Sequence, residues 1–278
     1  MDIRLIALDL DGTLLTDDKR LTPRNRAALD AAAGAGIRIV PATGRLYRAL
    51  PEEIRALPFL RYVIAMNGAA VLDVKQGETL YAAEIPAAEA VEILGFLDGQ
   101  DVIYDCYYGG RAYMTESMKA RAGEYTSGFP LKSLQELRVP VPELKAFLRE
   151  RGGGVQKIQM YARGPALRQT LLRELPGRFP GIVATSSLPG NIELNHAWAN
   201  KGDALEFLAA RLGLARERTM AFGDGLNDVS MLRAAGTGVA MGNAAPEVIA
   251  AADRMTADNN HDGVAEVIEE LLYGGARQ

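Results

Sequence analysis

Residues 9 to 13, Asp-Leu-Asp-Gly-Thr, put two carboxylates two positions apart directly after the apolar run Leu5 to Leu8. Unpaired carboxylates against a buried strand are costly unless something compensates them. A divalent cation is the simplest compensation, and Mg²⁺ favours a few carboxylates together with a phosphate. Other polar groups end apolar runs in the same way. Thr43-Gly44-Arg45 follows Ile37 to Val40, Asn67-Gly68 follows Tyr62 to Met66, and Gly223-Asp224-Gly225-Leu226-Asn227-Asp228 follows Thr219 to Phe222. Lys201 opens a helical stretch, where backbone N–H groups also favour an anion. Taken singly, each group has an ordinary reading: an Asp-rich turn, a Thr-Gly turn, a solvated helix lysine. Taken together, carboxylates, a hydroxyl beside backbone amides, an amide and an ammonium suit Mg²⁺ and phosphate. Two histidines and one cysteine offer little to zinc.

The elements around these groups explain how they meet. Thr22-Pro23 reads as an N-cap followed by proline at the first helical position, with a stop at Gly34 and Gly36. A further helical stretch is expected from Leu46 to Leu57. The resulting β-α-β-α-β order predicts parallel strands joined by right-handed crossovers. In such a sheet ligands bind beyond the carboxyl ends of the strands, so Asp9, Thr43, Asn67 and Asp224 converge. From about Glu84 the pattern changes. Ala87 to Leu97 reads as a helix. Val102 to Tyr108 and Arg111 to Thr115 read as strands joined at Gly109-Gly110, a two-residue hairpin signal. A helix around 142–151, an alternating strand from Val155 to Ala162, a helix from Gly164-Pro165 and strands at 182–186 and 192–194 follow. This predicts a separate α+β module over 84–190, built on a half-exposed, mostly antiparallel sheet. Its linkers are placed near Ala82-Ala83 and Pro189-Gly190. The parallel pattern then resumes, so residues 1–83 and 191–278 form one domain split by the insertion.

Composition narrows the class. Apolar residues make up 48% of the chain and charged residues 24%, with a net charge of −4, as in ordinary globular proteins. Lysines and arginines are scattered, so no nucleic-acid surface is indicated. Cys106 cannot form an intramolecular disulfide and reads as a small hydrophobe. Asp2, Arg4 and Asp9 interrupt the N-terminal apolar run, which predicts neither a signal peptide nor a membrane span. A cytoplasmic protein is expected. His196 and Trp198 read as packing residues and His261 as a loop residue.

Four segments resemble, in order and context, the motifs of the haloacid-dehalogenase-like phosphohydrolase superfamily: Asp9-Leu10-Asp11-Gly12-Thr13-Leu14, Ala42-Thr43-Gly44-Arg45, Asn200-Lys201-Gly202 and Gly223-Asp224-Gly225-Leu226-Asn227-Asp228. The middle of the chain matches only in position and size, most like the Cof-type subgroup with its large cap. The resemblance implies an α/β fold: a Rossmann-like parallel-sheet core with an inserted α+β cap domain. It also implies a Mg²⁺-dependent phosphatase acting on a small phosphorylated metabolite, such as a sugar phosphate or nucleotide. Asp9 would be the nucleophile that becomes an aspartyl phosphate, and Asp11 the general acid and base. Asp9, the backbone carbonyl of Asp11, and Asp224 would hold the metal, with Asp228 acting through a water. Thr43, Lys201, Asn227 and the amides of Leu10 and Gly44 would bind the phosphate oxygens.

A phosphomutase on the same scaffold and a non-catalytic phosphometabolite sensor are the alternatives. An ion-pumping ATPase needs membrane helices. Arg45 and Asn67 are candidate substrate contacts, a surface role for Arg45 being the alternative. Selectivity for the organic part of the substrate is expected in the inserted module, with Tyr104 and Tyr108 each able to face either side of its sheet. Substrate and oligomeric state are not legible.

Overall fold

The computed structural model describes residues 2–126, 131–186 and 190–274. Pro189, part of an expected linker, lies outside the described residues. The chain divides into two compact units: residues 1–45, 50–81 and 200–278, and residues 46–49 and 82–199.

In the first unit, Leu5–Leu8 is the middle strand of a five-stranded sheet. Arg38–Pro41 lies on one side, and Thr219–Gly223, Thr237–Ala240 and Arg254–Met255 follow in turn on the other. Every pairing in it is parallel. All four residues of the middle strand are fully buried, as an apolar run covered on both faces should be. Leu5 and Ala7 pack with Leu205, Leu208, Met231 and Leu232, on the helices Lys201–Arg211 and Val229–Ala234. Ile6 and Leu8 alternate to the opposite face. The helix Pro23–Gly34 starts as its sequence indicates: the Thr22 hydroxyl accepts from the Asn25 amide, and Pro23 takes the first helical position.

Two stretches between residues 46 and 82 differ from expectation. No continuous helix spans 46–57. A 3₁₀ turn, Tyr47–Ala49, is separated from a short helix, Glu52–Arg55, by Leu50-Pro51. Proline disfavours helical backbone at the residue before it, and that is where the run breaks. The run Tyr62–Ala65 touches the parallel sheet through a single bridge, Ile64 to Ala42. It then pairs antiparallel with Ala70–Asp73, which in turn adjoins Glu78–Ala82. From sequence, Tyr62 to Met66 reads as a strand run of the parallel order, and neither Ala70–Asp73 nor Glu78–Ala82 is expected.

The second unit carries a six-stranded sheet ordered Ile182–Thr185, Asn191–His196, Lys157–Ala162, Val102–Tyr108, Arg111–Thr115 and Arg138–Val141. Its pairings are antiparallel except the last, between Arg111–Thr115 and Arg138–Val141. The hairpin turn has Gly109 at φ 54° and Gly110 at φ 72°, the two left-handed positions that a tight two-residue loop requires. Asn191–His196, whose stretch 192–194 reads from sequence as a strand of the module although the boundary is placed at 190, is hydrogen-bonded inside this sheet. One sheet face packs on the helices Ala87–Leu97, Leu144–Arg151 and Pro165–Arg178 through Ile93, Leu94, Leu148, Leu171 and Leu175. Tyr104 and Tyr108 both belong to that face. Tyr104 donates to Asp98, and Tyr108 packs edge-on to Phe147.

The sheet is not half-exposed. Lys157, Gln159 and Tyr161, on the other face of the central strand, are as buried as Ile158 and Met160. Their polar groups are paired with one another. Arg138 Nε donates to Asp105 Oδ2 at 2.9 Å, Lys157 Nζ to Glu193 Oε1 at 2.9 Å, and Gln159 Nε2 to the Tyr161 hydroxyl at 2.9 Å. Lys157 also stands over the Tyr107 ring at 4.6 Å. Sequence alternation reports polarity, and here polar residues are internal with partners on neighbouring strands, Asp105 Oδ1 being a buried oxygen left without one. Removing one partner strands the other. Arg138→Met is therefore expected to lower unfolding free energy by about 3–5 kcal/mol, because the buried Asp105 carboxyl, which burial already pushes up, loses its paired cation. Asp105→Asn in the same chain should recover part of that loss. Urea unfolding of the two variants checks both.

Candidate functional site

Lys201 apart, each expected site residue of the first unit sits just beyond the carboxyl end of a strand. Asp9 leaves the middle strand with its amide bonded to the Phe222 carbonyl at 3.1 Å. Lys201 is the first residue of its helix, which is capped by the Asn200 side chain. Its ammonium is fully buried and donates to Asp9 Oδ1 at 2.7 Å and to Asp228 Oδ1 at 2.6 Å. Asp228 uses its other oxygen to accept the amides of Asp224 at 3.1 Å and Gly225 at 2.9 Å. One carboxylate thus shapes the loop after Thr219–Gly223 and fixes the lysine.

Asp9, Asp224 and Asp228 each offer an oxygen, all within 4.8 Å of one another. This acidic cluster is a candidate metal site. Burial pushes the Asp9 carboxyl up to about 7, with Lys201 opposing and Asp228 and Asp224 adding repulsion. Burial likewise lifts Asp224 to about 6, against the hydrogen bond from Thr13. Three crowded carboxylates around a single buried ammonium leave an excess of negative charge. Oxygen donors with that excess fit a hard divalent cation. Lys201 itself is held well above the ordinary lysine range: burial opposes its charge, and Asp228 and Asp9 more than offset that.

The turn after Asp9 is built to approach Asp224 closely. Gly12 has φ 87°, and a Cβ there would lie 2.4 Å from Asp224 Oδ2. Thr13 Oγ1 donates to Asp224 Oδ1 at 2.7 Å. Asn243 Nδ2 donates to the Gly12 carbonyl at 2.9 Å. Neither Thr13 nor Asn243 was singled out from sequence. Thr13 stands inside the motif and was legible there; Asn243 lies in an unremarkable Gly-Asn turn.

Thr43 anchors the second loop. Its amide donates to Ile64 O at 2.9 Å, and its hydroxyl accepts the Arg45 amide at 3.2 Å. Asn67 Oδ1 accepts from Asn227 Nδ2 at 3.2 Å, so two loops separated widely in sequence touch. A Cβ on Gly44 would lie 2.8 Å from that same Asn67 oxygen. Met66, Asn67 and Gly68 have φ of 54°, 60° and 92° in succession. Left-handed backbone is uncommon outside glycine, and runs of it are sustained where a site over-determines the chain. At Gly68 a Cβ would meet the Asn200 carbonyl oxygen at 2.1 Å. The absence of a side chain lets this turn press on the start of the Lys201 helix.

Asp11 does not point into the carboxylate cluster. Its Oδ2 accepts Arg45 Nε at 2.7 Å and its Oδ1 accepts Arg45 Nη2 at 2.6 Å. Lys19 Nζ lies 2.9 Å from Oδ1. Burial raises the Asp11 carboxyl, but the bonds and charges of Arg45 and then Lys19 outweigh it and hold the group below the usual range. Leu10 is fully buried. His196 stacks edge-on with the exposed Trp198, His261 bonds Asp258 on the surface, and Cys106 is buried. None of these contributes to the cluster. No described helix is long and apolar enough to cross a membrane.

The family model described as haloacid dehalogenase-like hydrolase matches residues 6–268. Pyridoxal phosphate phosphatase YbhA of Escherichia coli is 31% identical, with 98% of this chain and 100% of that protein covered. The 5-amino-6-(5-phospho-D-ribitylamino)uracil phosphatase YcsE of Bacillus subtilis is 29% identical over 98% of this chain and 97% of its own length. A haloacid dehalogenase-like hydrolase from Bacteroides thetaiotaomicron superposes with a TM-score of 0.80 at 31% identity, covering 97% of this chain and 99% of the other. Across the whole length, parallel core sheet and inserted unit included, the chain belongs to the haloacid dehalogenase-like hydrolases of the Cof type, as a phosphatase of small phosphorylated metabolites.

Proposed function

We propose that the protein hydrolyses a phosphate monoester of a small polar metabolite, a sugar phosphate or a nucleotide-like compound, through a phosphorylated Asp9. The observation that carries this is the position of Asp9: a buried carboxylate bonded to Lys201 and crowded by Asp224 and Asp228. Asp9 attacks phosphorus, a new oxygen–phosphorus bond forms, and the ester bond breaks with its electron pair leaving on the alkoxide oxygen. Asp11 gives that oxygen a proton and later takes one from the water that hydrolyses the acyl phosphate. The Thr43 hydroxyl, Lys201, Asn227 and the amides of Leu10 and Gly44 orient the phosphoryl oxygens. Asn67 positions Asn227 through their hydrogen bond and is a candidate substrate contact, with Arg45.

Asp9, the Asp11 carbonyl and Asp224 are assigned as ligands of Mg²⁺, with Asp228 acting through a water. When bound, the ion supplies positive charge that neutralises phosphoryl oxygens. Phosphoryl transfer asks mainly for alignment and charge neutralisation, which this set of groups provides. The two relatives named above act on chemically different phosphates, so the common phosphate clamp does not choose the organic part.

Metal dependence tests the reading. Protein stripped with a chelator should lose phosphate release from a sugar-phosphate panel and regain it with Mg²⁺. Asp224→Ala should raise the Mg²⁺ concentration giving half-maximal rate by about tenfold or more, since it removes a direct carboxylate ligand. Full activity after rigorous metal removal would overturn the assignment.

A further inference from the structure

The turn from Met241 to Ala245 joins the two loops assigned to the cation without itself carrying a ligand. Its backbone holds the later loop: the Met241 amide donates to the Gly223 carbonyl at 3.1 Å, and the Ala245 amide to the Asp224 carbonyl at 3.4 Å. Its Asn243 side chain holds the earlier one, Nδ2 donating to the Gly12 carbonyl at 2.9 Å. The turn is braced from behind. The Gly242 amide donates to the Ala257 carbonyl at 3.2 Å, and a Cβ on Gly242 would lie 2.9 Å from the Asp258 nitrogen. Asn243 Oδ1 accepts the Asn259 amide at 3.2 Å, and the Asn259 side chain donates to the Leu15 carbonyl at 3.0 Å and to Asp17 at 3.1 Å. The chain after Asp9 is thus gripped at Gly12 and again at Leu15.

Gly12 is where such a grip matters. At φ 87° and with no side chain, little else sets the tilt of the peptide that joins it to Thr13. Asn243 takes the oxygen of that peptide, and its N–H, the Thr13 amide, donates to the Leu10 carbonyl at 3.4 Å. The tilt so fixed brings the Thr13 hydroxyl to Asp224 Oδ1 at 2.7 Å. Asp9 and Asp224 repel each other, which acts to part the loops that carry them. Mg²⁺ accepts little departure from its preferred ligand geometry, so loops free to part hold it less well.

We propose that Asn243 is a positioning residue for the divalent-cation site: by tying Gly12 to the turn that holds Gly223 and Asp224, it sets the separation of the two ligand loops. This rests on the assignment of Asp9 and Asp224 to the metal. Asn243 is exposed, and surface substitutions of this kind cost little stability. Asn260 is the matched control. It too is exposed, and it exchanges two bonds with Asp17, Nδ2 donating to Oδ2 at 3.1 Å and Oδ1 accepting the amide at 3.1 Å. Those bonds lie outside both ligand loops.

The test titrates Mg²⁺ into metal-stripped parent, Asn243→Ala, Asn260→Ala and Asp224→Ala by calorimetry, and follows sugar-phosphate hydrolysis against Mg²⁺ concentration beside thermal melts. Asn243→Ala should raise the Mg²⁺ Kd and the half-maximal Mg²⁺ concentration about tenfold, the low end for residues that orient metal ligands. Saturating Mg²⁺ should return its kcat to within about threefold of the parent, since mass action refills the site. Asn260→Ala should bind Mg²⁺ as the parent does, and both asparagine variants should melt within a few degrees of it. Equal Mg²⁺ affinity in Asn243→Ala and Asn260→Ala, with Asp224→Ala still weakened, overturns the role of Asn243 and leaves the metal site standing. A kcat of Asn243→Ala that saturating Mg²⁺ does not restore also overturns it, because the defect then lies elsewhere than in cation binding. Parent-like Mg²⁺ affinity in Asp224→Ala overturns both the role and the metal assignment.

Discussion

Asp9→Asn should abolish turnover, by about 10⁴–10⁶-fold, the scale of losing a covalent nucleophile, while the protein stays folded. The amide has the same shape, and its oxygen can still accept from Lys201, which lies 2.7 Å from Asp9 Oδ1. It lacks the charge and the basic oxygen needed to attack phosphorus. Stability should hold or improve, because three carboxylates within 4.8 Å of one another repel, and the substitution removes one of them. The measurement is phosphate release by purified variant protein beside its thermal melt. A variant with intact melting and substantial turnover would show that the phosphoryl group does not pass through Asp9.

Lys201→Ala should be as visible in the melt as in the rate. Its ammonium is fully buried between Asp9 and Asp228, so truncation leaves two buried carboxylates without their cation. Breaking a buried pair in this way costs about 3–5 kcal/mol. Turnover should fall about 10³-fold, the loss typical of a group that stabilises developing charge in a dry site. Added Mg²⁺ should raise the melting temperature of this variant more than that of the parent, because the ion offsets the same excess charge. Lys201→Arg should not restore the rate: a planar fork does not replace a compact ammonium between two carboxylates. Wild-type turnover in Lys201→Ala would remove the lysine from the site.

Much of this is legible in the sequence. Asp9, Thr43 and Asp224 follow strands of a parallel sheet, which gathers its strand ends, whereas Asn67 follows Tyr62–Ala65, joined to that sheet by the bridge from Ile64 to Ala42. The hairpin at Gly109-Gly110 and the cap at Thr22-Pro23 rest on local backbone chemistry, which sequence records directly. What escaped was tertiary. Lys157, Gln159 and Glu193 are polar by type yet internal, because their partners come from other strands. The helix expected over 46–57 fails at one proline whose effect falls on its neighbour. Lys19 gave no signal at all, since only a turn pinned by Asn259 and Asn260, some 240 residues on, brings its ammonium to Asp11.

The placement of Leu5–Leu8 in the middle of the core sheet bears on how the chain is made. One neighbour, Arg38–Pro41, leaves the ribosome soon after it; the other, Thr219–Gly223, emerges only after the inserted unit. At about 5–20 residues per second, the nascent middle strand waits on the order of 10–40 s with an open hydrogen-bonding edge. The inserted unit has its own core and sheet in the meantime, and folding it early turns a long floppy loop into an ordered block before the last strands arrive. Slow codons late in the insertion should therefore cost soluble yield through edge-to-edge association, whereas slow codons after Thr219–Gly223 should cost little.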